Sequence, residues 1–199
     1  MSSLETLRAH PLIARLRDAL AKRDSHRVED DVSRRAGVAI LIRLSRGDPD
    51  IFFIQRSQYE GDPWSGQIAF PGGREEPGDA NLCATAIRET YEETMLDLGE
   101  LGELLGVLDD QRPLTVRLPA VIVRPFIFLV GDVPAPVLSA EVANSFWVPL
   151  PVLLDPSVWR ESAVTAGGVE IRRLAFHHEG NLVWGMTERI LSVLLDLVR

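Results

Sequence analysis

The chain has 199 residues, of which 46% are hydrophobic and 25% charged, and a formal net charge of −8 at pH 7. This composition is typical of a folded globular protein, and the negative charge argues against nucleic acid or an anionic membrane surface as a partner, because both attract a positive field. The single cysteine, Cys83, excludes an intrachain disulfide and a cysteine-rich zinc site.

The N-terminal segment is predicted to be helical over residues 3–23, because Leu12, Ile13, Leu16 and Leu20 recur at helical spacing. Pro11 either kinks this helix or begins its second part. The segment lacks the continuous apolar stretch of a signal peptide, which predicts a cytoplasmic location. We expect residues 1–35 to be a helical extension packed on a domain formed by residues 36–199.

The rest of the chain mixes strands and helices. Strands are predicted where β-branched and apolar residues run between turn residues, at Gly37–Leu44, Ile51–Gln55, Gln67–Phe70, Gly102–Leu108, Ala120–Val130, Val169–Phe176 and Leu182–Trp184. Turns are expected at residues 46–50 and at the glycine pair Gly72-Gly73, and a helical turn at Ser139–Ala143. Helices are expected from Asp79 or Ala80 to about Met95, with Asp79 as N-cap, and from Thr187 to Val198. The fold class is therefore α/β (α+β), with a mixed β-sheet between helices.

The chemistry is expected on the first of these helices. At 100° per residue, Glu89, Glu92 and Glu93 fall within an arc of about 100°, where their charges repel unless a cation neutralises them. Oxygen ligands of this kind favour Mg²⁺ or Mn²⁺. Arg88, four residues before Glu92, is placed to hold that carboxylate, and the carbonyl of Gly72 is a further candidate metal ligand. The alternative interpretation is a solvated acidic helix face.

Gly73 to Leu96 resembles the Nudix box, in which a glycine is followed by an upstream acid, Arg-Glu and Glu-Glu. Arg88, Glu89, Glu92 and Glu93 match the Arg-Glu and Glu-Glu, and in that family the glutamates hold the divalent cations. The sequence departs from the pattern at three points: the upstream acid is Asp79, it lies one residue further from the arginine, and Met95 replaces the final glycine. The resemblance implies a hydrolase of a nucleoside diphosphate derivative, with a small nucleotide as its partner.

A narrower resemblance covers more of the chain. Arg56-Ser57 and residues 64–73, together with the segments 146–149 and 182–187, are similar to the coenzyme A diphosphatase branch of the family. This implies cleavage of coenzyme A to 3′,5′-ADP and 4′-phosphopantetheine. The branch has an arginine between Arg56-Ser57 and the glycine pair, whereas this chain has Gly61-Asp62-Pro63 in that region.

Several assignments stay open from the sequence. Glu92 is a third metal ligand or the base, and Glu141 is a candidate base or extra ligand on a loop. Arg56 and Arg74 are candidate phosphate contacts, since an arginine's planar fork suits that role. The alternatives to coenzyme A are ADP-ribose, a dinucleotide cofactor or a nucleoside triphosphate, or a Nudix module that senses a nucleotide without cutting it. The sequence does not define the oligomeric state.

Overall fold

The computed structural model describes residues 2–29, 34–61, 64–113, 120–166 and 169–199. Its helices are α1 (Ser3–Ala9), α2 (Pro11–Ala21), α3 (Leu82–Thr94), α4 (Leu98–Leu101), α5 (Leu150–Leu154), a 3₁₀ turn (Pro156–Val158) and α6 (Met186–Val198). Its strands are β1 (Arg34–Ser45), β2 (Asp48–Arg56), β3 (Ile68–Ala69), β4 (Gly72–Arg74), β5 (Gly102–Val107), β6 (Val121–Val130), β7 (Val142–Pro149), β8 (Trp159–Ala166), β9 (Val169–His178) and β10 (Asn181–Trp184). No helix in these ranges is both long and apolar enough to span a bilayer.

Strand β1 lies at the centre of a mixed sheet that contains seven of the described strands. It pairs in parallel with β6 and antiparallel with β2 and β4. Strand β6 continues to β5, and β2 continues to β3 and β7, all antiparallel. Strands β8, β9 and β10 form a separate antiparallel sheet. The predicted α/β class, a mixed sheet between helices, is confirmed.

The main sheet is buried on both faces, which explains the nearly continuous apolar sequence of its central strand. Ile40 and Ile42 belong to the core that also contains residues of α1, α2, α5 and α6. Ala39 and Leu41, pointing the other way, belong to the core that contains residues of α3 and α4. The sheet therefore separates α3, which carries the predicted chemistry, from the terminal helices.

The N-terminal region forms two helices, with the break where the proline predicts it. Pro11 occupies the first turn of α2, where its missing N–H costs no helical hydrogen bond. The ring nitrogen Nδ1 of His10 accepts a hydrogen bond from the Leu12 N–H at 3.3 Å and so caps α2. Helix α2 packs on α6, and α1 packs on β1 and β6. The division of the chain near residue 35 stays a prediction.

Two predicted turns differ from the structure. The turn between β1 and β2 consists of Arg46 and Gly47 alone, both with positive φ, at 51° and 95°. A two-residue turn of this kind matches the twist of a hairpin, so Asp48 already belongs to β2. The predicted helical turn at Ser139–Ala143 is wrong, because β7 begins at Val142 after a turn at Ala140 and Glu141.

The glycine pair was predicted to interrupt the structure, whereas Gly72 and Gly73 lie in strand β4. They pair with Val38 and Gly37 of β1. A Cβ atom on Gly72, whose φ is 145°, would lie 2.3 Å from the Gly37 carbonyl oxygen. Only a glycine allows the two backbones to lie this close. The pair therefore adds a short strand to β1 directly beneath α3.

Candidate active site

Helix α3 begins later than predicted, and a different residue caps it. Oδ1 of Asn81 accepts hydrogen bonds from the N–H groups of Cys83 and Ala84, at 3.0 and 3.1 Å. The predicted N-cap, Asp79, is wrong, because its carboxylate points instead toward Arg88. The helix packs close to β1, where a Cβ on Gly37 would lie 2.1 Å from the Leu82 carbonyl oxygen.

Arg88 is fixed by acceptors at both ends of its guanidinium. Nε and Nη2 each lie 3.0 Å from one carboxylate oxygen of Asp79, a two-point contact. Nη2 also donates to the main-chain oxygen of Arg74 at 3.0 Å. Hydrogen bonds to Arg88 hold the pKa of Asp79 well below its usual range. The contact with Asp79 raises the pKa of Arg88 further, so the pair stays ionised.

The remaining guanidinium nitrogen of Arg88 joins two of the predicted glutamates. Nη1 lies 3.1 Å from Oε1 of Glu89 and 3.1 Å from Oε2 of Glu92. The predicted contact between Arg88 and Glu92 is therefore present in the structure. The Glu92 side chain is 55% exposed, whereas that of Glu89 is 19% exposed. Arg88 thus bridges the outward-facing carboxylate of Glu92 and the carboxylate of Glu89, which faces the glycine strand.

Glu93 is a buried carboxylate at the same strand. Its residue is 4% exposed, and its Oε2 accepts a hydrogen bond from the Gly72 N–H at 2.9 Å. Burial and the neighbouring charge of Glu89 raise the pKa of Glu93 to about 8, although the Gly72 N–H and the charge of Arg56 oppose this rise. A buried carboxylate with so little compensation is an unfavourable arrangement without a cation.

Glu89 lies against the second glycine of the pair. A Cβ on Gly73 would come within 2.3 to 2.5 Å of the three carboxyl atoms of Glu89. Burial raises the pKa of Glu89, and Arg88 opposes that effect. Gly72 and Gly73 therefore have distinct roles. Gly72 donates its N–H to Glu93, and Gly73 leaves space for the Glu89 carboxylate.

The loop that carries Glu141 is hydrogen-bonded to both α3 and the end of β2. The N–H of Ser139 donates to the Glu93 carbonyl oxygen at 3.0 Å, which links the loop to the end of α3. On the other side, the Ser57 N–H donates to the Glu141 carbonyl oxygen at 2.8 Å. The Ser57 hydroxyl and the Tyr59 hydroxyl donate to the Ala140 carbonyl oxygen, at 2.8 and 3.0 Å.

The exposed side chain of Glu141 completes this group of charges. Its loop is hydrogen-bonded to the end of α3, and its negative charge contributes to the raised pKa of both Glu89 and Glu93. Arg56, at the end of β2, has the opposite effect on Glu93. Arg74 is exposed at the end of β4, and its main chain is fixed by Arg88. The structure thus brings residues from four separate segments to one site.

The donor set suits a hard divalent cation. Glu89 and Glu93 present carboxylate oxygens from one helix face toward β4, and their repulsion falls when a cation lies between them. Within the described ranges, however, no three Asp, Glu, His or Cys side chains are already grouped closely enough to hold an ion. Arg88 contacts both Glu89 and Glu92, but the Glu92 side chain is 55% exposed, whereas Glu89 and Glu93 lie against β4. A bound cation would therefore be held mainly by Glu89 and Glu93.

Three features of the site were not predicted from the sequence. Asp79 was identified as an upstream acid, but its two-point contact with Arg88 was missed, although the nine-residue offset allows it. The fit between Gly73 and Glu89 was also missed. Ser57 and Tyr59 were not connected with Glu141, because they lie more than 80 residues away in sequence.

Comparisons with known proteins identify the family of this chain. The NUDIX domain family matches residues 33–166. An uncharacterized Nudix hydrolase, NudL, of Yersinia pestis (strain Pestoides F) is 30% identical over 167 residues, covering 83% of this chain and 80% of that protein. NudL of Yersinia pseudotuberculosis (serotype O:1b, strain IP 31758) matches to the same extent.

The fold has a counterpart among solved structures. A MutT/nudix family protein from Enterococcus faecalis superimposes with a TM-score of 0.53 over 91% of this chain and 67% of that one, at 18% identity. The family match includes β1, β4 and α3, the elements that assemble the carboxylates. The chain belongs to the Nudix family of hydrolases.

Proposed function

We propose that the protein is a Mg²⁺-dependent hydrolase that cleaves the diphosphate bond of coenzyme A, giving 3′,5′-ADP and 4′-phosphopantetheine. The observation that carries the chemistry is the placement of Glu89 and Glu93 on one face of α3, each in contact with one glycine of β4. One buried and one half-buried carboxylate at one strand favour a metal site over a solvated helix face.

In this proposal each residue of the site has one role. Glu89 and Glu93 hold the cation, with the carbonyl of Gly72 as a further candidate ligand. When bound, Mg²⁺ neutralises charge on the diphosphate oxygens and lowers the pKa of a coordinated water. Glu141 takes the proton from the attacking water, because its charge acts on both proposed ligands, Glu89 and Glu93, and its loop is bonded to the end of α3. Arg88 and Asp79 keep the glutamates in place.

The arginines near the site recognise the phosphates of the substrate. The positive charge of Arg56 lowers the pKa of Glu93, which supports a place for Arg56 near the proposed cation. Arg74 is exposed at the end of the glycine strand. Guanidinium groups bind phosphate through two parallel hydrogen bonds. Substrate phosphates would then lie between the cation and these two side chains.

The choice of coenzyme A is supported by the segments that resemble the coenzyme A diphosphatase branch, from Arg56-Ser57 through Phe70-Pro71-Gly72-Gly73 and again at residues 182–187. Coenzyme A carries a 3′-phosphate that ADP-ribose and the common dinucleotide cofactors lack. Each charged hydrogen bond to that group is worth about 1.5–3 kcal/mol. The substrate's extra phosphate is therefore a basis for discrimination.

The experiment compares kcat/KM for coenzyme A, 3′-dephospho-coenzyme A and ADP-ribose at saturating Mg²⁺. We expect coenzyme A to exceed its dephospho form by at least about tenfold, which corresponds to 1.4 kcal/mol. The Glu93→Gln variant serves as the control that any activity arises from this site. Equal rates on the first two compounds, or faster cleavage of ADP-ribose, would refute the coenzyme A assignment. All three glutamates of the Nudix box, Glu89, Glu92 and Glu93, are retained, which favours catalysis over a sensing role.

A further inference from the structure

A cavity of about 450 Å³ lies between the β2–β3 side of the main sheet and the sheet formed by β8, β9 and β10. A cavity of this size is typical of a small-molecule site. Its wall contains Gln55 and residues 65–68 on one side, and residues 163–165, 180–182 and Trp184 on the other. It was not among the sites predicted from the sequence.

The described residues that line this cavity carry no charge. They offer instead the side-chain amides of Gln55, Gln67 and Asn181, and the hydroxyls of Ser65 and Thr165. Amides and hydroxyls can both donate and accept hydrogen bonds. A phosphate group placed here would lose water without gaining a cationic partner, which is costly. The lining therefore selects an uncharged ligand that carries amide or hydroxyl groups.

The cavity is connected to the active site through the end of β2. The N–H of Arg56 donates to the Gln67 carbonyl oxygen at 3.0 Å, so a wall residue is bonded directly to the arginine beside Glu93. Gln55, another wall residue, immediately precedes Arg56 in β2. The uncharged cavity therefore adjoins the end of β2 that carries Arg56.

The two walls come from distant parts of the chain that are joined at one point. The Thr187 hydroxyl donates to the Ile68 carbonyl oxygen at 3.0 Å and links the start of α6 to β3. Strand β10, with Leu182 and Trp184 in the wall, also contacts β3. The cavity is consequently a built feature of the fold and not a gap within a single loop.

We infer that this cavity binds the uncharged, amide-bearing arm of the substrate, of the pantetheine type, while the phosphates remain at the metal site. The pantetheine arm has two amides and a hydroxyl, which match the groups of the wall. The 3′,5′-ADP end cannot occupy it, because that end carries phosphates. This inference rests on the proposed function, since it assigns one part of the proposed substrate to one part of the structure.

The test measures binding apart from catalysis, by calorimetric titration of the whole protein with pantetheine and with 3′,5′-ADP. We expect Gln55→Leu and Asn181→Leu each to weaken pantetheine binding by about tenfold or more and to leave 3′,5′-ADP binding unchanged. Asn144→Leu is the matched control, because Asn144 pairs with Gln55 in β7 but does not line the cavity. It should bind both compounds like the wild type.

The same variants are then assayed for coenzyme A hydrolysis, where we expect KM to rise about tenfold and kcat to change little. Wild-type protein that does not bind pantetheine, or variants that lose both compounds equally, would overturn the inference. So would unaltered pantetheine binding in both variants. If coenzyme A is cleaved but the variants keep the wild-type KM, the inference fails while the proposed function stands. If coenzyme A is not cleaved at all, the proposed function fails, and the pantetheine titration decides the cavity separately.

Discussion

Asp79 receives two hydrogen bonds from Arg88, Nε to Oδ1 and Nη2 to Oδ2, both 3.0 Å long. Because Arg88 also contacts Glu89 and Glu92, the orientation of both glutamates depends on an acid outside the helix. Asp79 makes this contact with Arg88 instead of capping α3, as the sequence had predicted. It joins the loop after β4 to α3.

We expect Arg88→Lys to lower kcat by about tenfold or more, because an ammonium cannot contact Asp79 at two points and also reach the glutamates. Steady-state kinetics at saturating Mg²⁺ measure this. Arg74→Lys is the control for replacing an arginine by a lysine in β4, because Arg88 contacts the main-chain oxygen of Arg74 and this contact is kept. The effect of Arg74→Lys should be confined to KM. Wild-type kcat in Arg88→Lys would show that the orientation of the glutamates does not depend on the guanidinium.

Asp79→Asn should make the stability of the protein less sensitive to acid. The folded-state pKa of Asp79 is depressed by Arg88, so its contribution is present above the unfolded pKa and is lost as the pH falls through the folded value. Wild-type Tm should therefore fall more steeply than that of the variant below about pH 4. Thermal unfolding at a series of pH values measures the two slopes, and parallel curves would contradict the prediction.

Glu93→Gln should separate catalysis from stability. Loss of a metal ligand should reduce kcat by about a hundredfold or more. In metal-free protein, the pKa of Glu93 is raised to about 8 from an ordinary value of 4.5. Its stabilisation is therefore complete below the ordinary value and is lost as the pH rises through about 8.

The variant should consequently have a higher Tm than the wild type in EDTA above about pH 8, and a similar Tm near pH 5. Added Mg²⁺ should raise the Tm of the wild type and have a much smaller effect on the variant. Thermal unfolding with and without Mg²⁺ tests both statements. Retained activity with saturating Mg²⁺ would remove Glu93 from the site, and a variant unfolded at room temperature would show a structural role instead.

Gly73→Ala should impair catalysis although alanine is a small residue. Its Cβ would lie within 2.5 Å of the Glu89 carboxylate and would displace it. A shift of about 1 Å in a positioned group can lower the rate by about a hundredfold. Gly78→Ala is the control, because a Cβ there meets nothing within 4 Å. If both variants have wild-type kcat, the Glu89 carboxylate is not constrained by this contact.

Ser57→Ala should lower kcat by about three- to tenfold through the position of Glu141, since it removes one hydrogen bond to the Ala140 carbonyl. Ser57 does not contact the carboxylate, so it is a positioning residue. KM for the substrate should stay within about twofold, and Ser57→Thr, which keeps the hydroxyl, should recover most of the rate. An equal loss in both variants would indicate a packing defect rather than a lost hydrogen bond.

The sequence predicted the framework well because its signals are local. The apolar runs of β1 and β6 and the helical spacing of Glu89 and Glu93 do not depend on partners far along the chain. The errors arose where a distant contact decides the structure. Gly72 and Gly73 form a strand because Val38 and Gly37 pair with them, and Asp79 is not a cap because Arg88 competes for its carboxylate.

Met95 illustrates the remaining limit. The sequence showed that it replaces a family glycine, and the structure shows the reason for that glycine: Met95 ends α3 in the left-handed conformation, with φ 57° and ψ 20°. That conformation disfavours a side chain with a Cβ. The family pattern therefore marked residue 95 as a glycine position, whereas the backbone strain of Met95 at positive φ was visible only in the structure.

The parallel pairing of β1 with β6 has a consequence for how the protein folds. Arg34 to Ile42 pair with Val121 to Leu129, so the whole glycine strand and catalytic helix lie in the chain between two neighbouring strands. During synthesis β1 is exposed along that edge until β6 has been made. Contacts of such long sequence separation close slowly, and unpaired apolar strands tend to aggregate meanwhile. Glu141 follows β6 in the chain, so the full group of charges at the candidate site forms only after that strand has been made.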